Sequence, residues 1–472
     1  MWRVTREKAP VKPGAETGGR VPAGRNPLGS APEEAPDDLP ADVPEGARED
    51  PGEGKRKAGL RHSLRAFRHR DYRLFWSGAL ASNIGTWLSN LAVPFVLFQA
   101  THSAFWVGLA ALAQFLPGVL VAPLGGSLAD RLNRRRVLIS TQIAMAVTAG
   151  GLWALWVTGA ARPPAILAIV ALSGLITGLN LPIWQSFVND LVPREDLASA
   201  VALNSLQFNA ARSVGPAVAG LLLATLGPGW AFLINGFSFV FVLCALVLIR
   251  RGTGSPAPGS ARDPGVVRGF VQALRYVRRQ PGIRVAILVS VLIGFFGNPV
   301  FGFTVVFADE VFHVGALALG ALNAALGLGA VLCAPLVSSA GGGLTLARIV
   351  RWAMPVHGLA MVGFGLAPGP VVGAFCLVVV GGCFLAVVSS ANTSIQMMVT
   401  ERMRGRVLAI RIMVYSASLP LGSLVQGAIS DLIGPRVTVA GAGVVLALVV
   451  LPLLRGRGGR LLSRLDDPPD RG

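Results

Sequence analysis

The chain has 472 residues, of which 53% are hydrophobic and 14% are charged, so it carries roughly half the charge of a soluble domain. Its formal net charge is +18, and such an excess fits either a nucleic-acid partner or one face of a membrane. The four cysteines lie in apolar runs without a CxxC pair or a Cys/His cluster, which argues against a disulfide framework and a zinc site.

The first 60 residues are predicted to form a disordered tail. They contain nine prolines, many charges and almost no aromatic residues, and such a composition cannot bury enough apolar surface to order a chain. They also lack the apolar core of about 7–15 residues that a signal peptide needs.

A series of apolar stretches begins at Leu74, and each is long enough to cross roughly 30 Å of hydrocarbon as a helix. This pattern predicts an all-α membrane protein with twelve transmembrane helices. The predicted spans are 74–99, 104–129, 137–159, 164–189, 199–226, 230–249, 283–308, 314–338, 345–367, 370–396, 406–430 and 435–454.

The basic residues are concentrated on one side of these spans. Of the 42 Lys and Arg residues, fifteen precede the first span, eighteen lie in or beside the loops after the even-numbered spans, and five follow the last span. By the positive-inside rule, both termini are therefore predicted to be cytoplasmic. The charge excess indicates a bilayer as the partner and requires no nucleic acid.

The segment 251–282 begins rich in Gly and Pro and continues as a basic amphipathic stretch from Phe270 to Arg279. A linker followed by a helix that lies in the membrane interface is typical of such a pattern. The predicted domains are a cytoplasmic tail (1–60), a six-helix bundle (61–250), the cytoplasmic linker (251–282), a second six-helix bundle (283–455) and a second cytoplasmic tail (456–472).

The two halves of the chain resemble each other. Gly215, Gly220 and the pair Gly227-Pro228 recur 207 residues later as Gly422, Gly427 and Gly434-Pro435. This repeat predicts two pseudo-symmetric six-helix bundles. Many secondary transporters with such repeats work by alternating access, with a substrate site near the bilayer midplane.

The loop after the second span reads GSLADRLNRRR, from Gly126 to Arg136. It resembles the signature between the second and third helices of the major facilitator superfamily, with Asn133 in place of the usual glycine. The segment LVPREDLASAVALNSLQFNAARSVGPAVAG, residues 191–220, is similar to the drug:proton antiporter branch that includes macrolide-efflux and enterobactin-exporter proteins.

The resemblance implies that the loop motif latches the two halves when the transporter faces outward. The residues implied are Gly126, Asp130, Arg131, Arg134 and Arg135. A plain positive-inside anchor is the alternative for this cluster.

The fifth span contains Gly215-Pro216 followed by Gly220. This resembles the glycine–proline motif that marks exporters of the superfamily. Because Pro kinks a helix and Gly lets another helix approach, a packing kink without a transport role is the alternative.

Two arginines lie inside predicted spans. Arg212 is near the middle of the fifth span, where insertion costs about 2.5–3.5 kcal/mol. It is expected to bind an anionic part of a substrate, to respond to a protonated partner, or to tie helices together. Arg411, placed in the first turns of the eleventh span, is expected to snorkel to the cytoplasmic interface.

The spans contain no carboxylate at the midplane, although many proton-coupled exporters carry the proton on a buried acid. The proton carrier is therefore expected among acids at the edges of the spans or on the one histidine well inside a span. The candidates are Asp190, Asp309, Glu310, His357 and Asp431, with Asp130 of the loop motif as a further one.

Polar and aromatic residues at helical spacing predict the substrate path, with interhelical hydrogen bonding as the alternative for each. The candidates are Asn83, Trp87, Asn90, Asn180, Gln185, Asn204, Phe208, Arg212, Asn298, Asn392 and Gln396.

Together these features predict a monomeric exporter of an amphipathic, drug-like, macrolide-like or siderophore-like compound in a bacterial inner membrane. No cofactor is expected, and a proton gradient is expected to drive transport. A major facilitator importer or lipid flippase is the first alternative. An integral membrane enzyme would need clustered acidic or His residues at the membrane edge, and a channel would leave the repeat unexplained.

Overall fold

Residues 64–249, 266–338, 345–454 and 465 are described by a computed structural model, and these residues form helices and no strands. The predicted tail at 1–60, residues 251–265 of the linker and nearly all of 455–472 lie outside the described residues. Twelve long helices coincide with the twelve predicted spans to within five residues at each end. Their bounds are α1 Arg70–Thr101, α2 Ala104–Arg131, α3 Arg134–Val157, α4 Pro163–Asp190, α5 Leu197–Thr225, α6 Pro228–Leu248, α7 Pro281–Val311, α8 Ala316–Ser338, α9 Leu346–Gly365, α10 Pro370–Met398, α11 Glu401–Ile433 and α12 Pro435–Leu454.

Nine of the described helices are long and apolar enough to cross a membrane: α1–α4, α6–α8, α10 and α11. The three others are less apolar or shorter over their described part. In α5 the polar residues include Gln207 and Arg212, and α9 carries Arg348 and Arg351 near its start. The chain is thus a multi-pass membrane protein.

Most connections between consecutive helices are short, so neighbours along the chain run antiparallel. Helices with odd numbers begin at the end of the molecule where the basic residues cluster, which we term the basic end. They finish at the opposite end, which we term the far end. We refer to α1–α6 as the first half and to α7–α12 as the second half.

The repeated Gly-Pro pairs make the same turn in both halves. Gly227 has φ +84° and Gly434 has φ +90°, in a region that favours glycine because it has no Cβ. The following Pro228 and Pro435 begin α6 and α12. Proline suits this first helical position since its missing N–H would have no partner there. The sequence repeat is therefore a repeat of local structure.

The other repeated glycines also occupy matching positions. A Cβ at Gly215 of α5 would strike Trp87 of α1, and a Cβ at Gly422 of α11 would strike the backbone of Phe295 of α7. Small residues of this kind let helices pack closely in a membrane. The pair α5–α1 in the first half and the pair α11–α7 in the second half are thus built alike.

The basic amphipathic stretch forms a helix from Val266 to Arg279, the linker helix. Its Ala273 and Val277 are buried in a cluster with residues of the second half, and Arg406 donates a 3.2 Å hydrogen bond to Gln272. Part of its apolar face therefore contacts protein, and its position in the membrane interface stays a prediction.

Candidate functional site

At the far end, a carboxylate of the second half caps a helix of the first half. Asp431, near the end of α11, accepts hydrogen bonds from the hydroxyl of Ser103 and from the backbone N–H groups of Ala104 (2.7 Å) and Phe105 (3.3 Å). Because α2 begins at Ala104, these groups have no partner within their own helix. The negative charge also suits the positive end of the helix dipole. Asp431, a candidate proton carrier, thus joins the halves here.

Glycines bring the same two helices into backbone contact. A Cβ at Gly427 of α11 would lie 3.1 Å from the Cα of Phe105, and a Cβ at Gly108 of α2 would lie 2.8 Å from the Cα of Leu424. The α2–α11 contact therefore depends on residues without a side chain on both helices.

The contact of α5 with α8 repeats this arrangement. A Cβ at Gly220 would lie 2.9 Å from the carbonyl oxygen of Ala316, and one at Gly320 would lie 3.0 Å from that of Pro216. The exporter-like segment around Gly215 thus contacts α1 within its own half and α8 of the other half through successive glycines. The segment therefore has a packing role, because it joins α5 to α8 of the other half.

Arg212 lies between the halves, fifteen residues after the start of α5. Its guanidinium is 5.4 Å from the ring centroid of Phe301 on α7 and 5.9 Å from that of Phe384 on α10. Such distances are those of cation–π contacts. Within the described residues, its side chain makes no hydrogen bond or ion pair.

The snorkelling predicted for Arg411 is wrong, because this residue is only 5% exposed. Its guanidinium donates to the side-chain oxygen of Asn392 (3.1 Å) and to the carbonyl oxygen of Val388 (3.0 Å), both on α10. It also lies 5.8 Å from the ring centroid of Tyr415. Helix α11 begins at Glu401, earlier than the predicted span, which places Arg411 in its third turn.

The stripe of Asn204, Phe208 and Arg212 follows one face of α5, since residues four apart share a face. Arg212, the residue of this stripe nearest the far end, contacts Phe301 and Phe384 of the second half. Phe208 lies on the same helix face as Arg212. Phe208 is nonetheless 50% exposed and Asn204 is partly exposed. These two residues lie one and two turns closer to the basic end than Arg212.

Besides Asn392, two further predicted path residues serve interhelical hydrogen bonds. The side-chain oxygen of Asn90 accepts from Gln114 of α2 (2.7 Å), and that of Asn180 accepts from Thr141 of α3 (2.8 Å). Asn180 is buried, so it lies away from any open path.

The other path candidates are spread over both halves. Gln185 and Gln396 are exposed near the basic end, whereas Asn83, Trp87 and Asn298 are half-buried. Asn298 follows a π-helical turn in α7, and such turns are frequent at functional sites.

The remaining proton-carrier candidates lie at three separate places in the fold. Asp309 is half-buried and Glu310 is exposed near the far end of α7. His357 of α9 is fully buried, beside Gly297 of α7 and 6.4 Å from the ring centroid of Phe384. Asp190 is paired with a basic residue of the loop motif.

Of the loop motif, Gly126, Asp130 and Arg131 belong to α2, but their side chains lie outside the described residues. Arg134 makes an ion pair with Asp190, with nitrogen–oxygen distances of 2.8 and 2.9 Å. Arg135 donates to the carbonyl oxygens of Leu246 and Val247 at the end of α6. In this conformation both arginines thus contact their own half, and the latch stays a prediction.

We expect Arg134→Met to lower the free energy of unfolding by about 1–2 kcal/mol, because Asp190 loses a charge-assisted hydrogen-bond partner at a position about one quarter exposed. The apparent melting temperature in detergent would measure the loss. Arg136→Met removes an exposed charge from the same turn and serves as the control. Equal melting temperatures for the two variants would contradict a stabilising role for the pair.

The residues that sequence reasoning missed are the aromatic partners Phe301, Phe384 and Tyr415. Tyr415 lies four residues after Arg411, so the helical spacing carries a signal for this pair. Phe301 and Phe384 are common apolar residues within apolar helices and carry none.

Comparison with known proteins identifies relatives over nearly the whole helical region. The family model described as "Transmembrane secretion effector" matches residues 62–459. The staphyloferrin A transporter of Staphylococcus aureus is 23% identical over 77% of this chain and 90% of its own. The enterobactin exporter EntS of Citrobacter koseri is 26% identical over 85% of this chain and 94% of its own. The multidrug efflux pump Tap of Mycolicibacterium fortuitum is 27% identical over 82% of this chain and 94% of its own.

The fold also matches that of solved transporters. The crystal structure of a bacterial homologue of the human lysosomal transporter Spinster has a TM-score of 0.61 and 17% identity, over 84% of this chain and 92% of that one. This structural similarity supports the fold and carries no conclusion about function. The family match and the exporter relatives remove the alternative of a membrane enzyme. The chain belongs to the transmembrane secretion effector family, a group of efflux transporters in the major facilitator superfamily.

Proposed function

We propose that this protein exports an amphipathic small molecule across a bacterial inner membrane by alternating access, in exchange for protons. The observation that carries the proposal is the contact between the halves. The described hydrogen bonds and glycine contacts that join α2 to α11 and α5 to α8 lie between the far end and the level of Arg212. Toward the basic end, Phe208 is exposed although it shares a helix face with Arg212.

Twelve spans in two pseudo-symmetric six-helix bundles form the framework of this proposal. The matched glycine contacts of α5 and α11 and the matched Gly-Pro turns support it, since repeated halves that rock against each other underlie alternating access. The basic end is cytoplasmic on the positive-inside rule, so both termini are cytoplasmic and the far end faces outward. The protein works as a monomer, without a nucleic-acid partner.

In this arrangement, the structure corresponds to an inward-facing state. The far end is closed, and the surface that leads to Arg212 is open to the cytoplasm. A substrate would enter beside Phe208 and leave after the far-end contacts separate and the basic end closes. The loop motif would latch the basic end in that second state.

A proton gradient, without a cofactor, supplies the driving force. In the described helices each carboxylate lies within three residues of a helix end. The proton is therefore carried by an acid at the edge of the spans, with Asp190, Asp309, Glu310 and Asp431 as candidates, or by the buried His357. Among them, Asp431 contacts the opposite half directly, through its cap on α2.

Accumulation of a panel of amphipathic compounds in a sensitive bacterial host that lacks its own pumps tests the proposal. We expect the protein to lower accumulation of its substrates, and we expect a protonophore to abolish this effect. Equal amounts of inserted protein in each strain are the control. Increased accumulation would indicate an importer, and lowered accumulation that is insensitive to the protonophore would contradict proton exchange.

A further inference from the structure

The site between the halves contains two arginines at membrane depth. Arg212 lies fifteen residues from the start of α5, and Arg411 lies ten residues from the start of α11, which places them about 22 Å and 15 Å along their helices. Charged residues at such depth are expensive and are retained mainly where they serve a function. The two come from different halves of the protein.

Neither arginine is neutralised by a carboxylate within the described residues. Arg212 has only the aromatic rings of Phe301 and Phe384, and the hydrogen bonds of Arg411 go to the neutral acceptors Asn392 and Val388. The described helices hold their carboxylates near their ends. These acidic residues are Asp71, Asp130, Asp190, Asp309, Glu310, Glu401 and Asp431. The site thus carries two uncompensated positive charges.

Helix α10 connects the two arginines. The guanidinium of Arg212 lies 5.9 Å from the ring centroid of Phe384, and that of Arg411 donates to the carbonyl oxygen of Val388, one turn further along α10. Arg212 and Arg411 therefore contact the same stretch of α10, although they are carried by α5 and α11.

The contacts with aromatic rings leave the two guanidinium groups able to bind an acid group. A guanidinium that contacts the face of an aromatic ring keeps its N–H edges for a planar acid group, which arginine binds with two parallel hydrogen bonds. The Nε atom of Arg411 is buried without a hydrogen-bond partner in the described part of the chain, so it has a donor to spare. Asn392 acts as a positioning residue, since it holds Arg411 away from the membrane surface.

We infer that the substrate is an amphipathic molecule with at least two ionised acid groups, one bound by Arg212 and the other by Arg411, with its apolar part against Phe301 and Phe384. This inference rests on the proposed transport function and names its substrate class. A dianion neutralises both charges, whereas a cation is repelled by both. Because the arginines belong to opposite halves, a bound dianion also removes the repulsion that opposes their approach.

Two dyes that share one aromatic skeleton test this inference by binding alone. Carboxyfluorescein is a polyanion at neutral pH, and rhodamine 110 lacks its net negative charge. We expect the full-length protein in lipid nanodiscs to bind carboxyfluorescein at least about tenfold more tightly, as measured by fluorescence polarisation. Arg212→Gln and Arg411→Gln should each reduce this preference about tenfold, and Arg212→Lys should retain part of it.

Arg279→Gln is the matched control, because it removes one positive charge from the exposed surface of the linker helix. It should leave the preference unchanged. Equal or tighter binding of rhodamine 110, binding of neither dye, or an unchanged preference in both Gln variants would overturn the inference. Failure of the transport proposal is distinguishable, since the dye measurement needs no transport. Efflux of cations alone would uphold transport and reject the anionic substrate.

Discussion

Replacement of Asp431 by Ala is expected to shift the protein toward a state with an open far end. The carboxylate caps α2 across the interface between the halves, through Ser103 and the backbone N–H groups of Ala104 and Phe105. Loss of a cap of this kind costs about 0.5–2 kcal/mol, which corresponds to about a two- to thirtyfold change in the ratio of closed to open molecules. The cost applies only to the closed state, because the cap exists only there.

Spin labels at Thr158 of the first half and Leu366 of the second half would report this shift, since both residues are exposed near the far end. Pulsed-resonance distances between them should show a larger long-distance population in Asp431→Ala. Arg162→Gln removes an exposed charge from the same end and is the control. A distance distribution unaltered by Asp431→Ala would show that the cap does not hold this end closed.

Replacement of Gly220 by Leu is expected to abolish most transport. Even a Cβ at this position would meet backbone atoms of Gly320 and lie 2.9 Å from the carbonyl oxygen of Ala316. Backbone atoms cannot rotate away as a side chain can, so α5 and α8 cannot reach their closed distance. Overpacking of this kind costs the closed state about 1–3 kcal/mol, which corresponds to a loss of transport of about five- to 150-fold.

The rate of substrate efflux from energised cells or vesicles, normalised to inserted protein, measures this loss. Gly315→Leu is the matched control, because Gly315 is close to the same end and no atom lies within 4 Å of a Cβ built there. Wild-type efflux rates in Gly220→Leu would contradict the role of the α5–α8 contact in closing the far end.

Most of the helices could be predicted because length and apolar composition set them directly, as in the nine described helices that are long and apolar enough to cross a membrane. The depth of Arg411 in the membrane could not be predicted, because the polar segment at the start of α11 was placed outside the predicted span. The true start at Glu401 is five residues earlier than the predicted one, or about 7.5 Å along the helix axis. The segment Glu401–Arg406 forms a helix although its polarity is typical of a loop.

The partners of the site residues were also beyond reach of the sequence. Asp431 was identified as an acid at the edge of a span, but its cap on α2 joins residues more than 320 positions apart. The repeated glycines were recognised as a pattern, whereas the helix that each one contacts follows only from the packing. Arg212 was recognised from the sequence as a charge inside a predicted span, whereas its aromatic neighbours Phe301 and Phe384 were not recognised.

Reciprocal motion of the two ends tests alternating access most directly. A second label pair at Arg136 and Arg404, both exposed near the basic end, would complement the pair at Thr158 and Leu366. In Gly220→Leu, which forces the far end apart, the far-end distance should lengthen while the basic-end distance shortens relative to the unsubstituted protein. Alternating access would be contradicted if the far-end distance lengthened while the basic-end distance stayed the same or also lengthened.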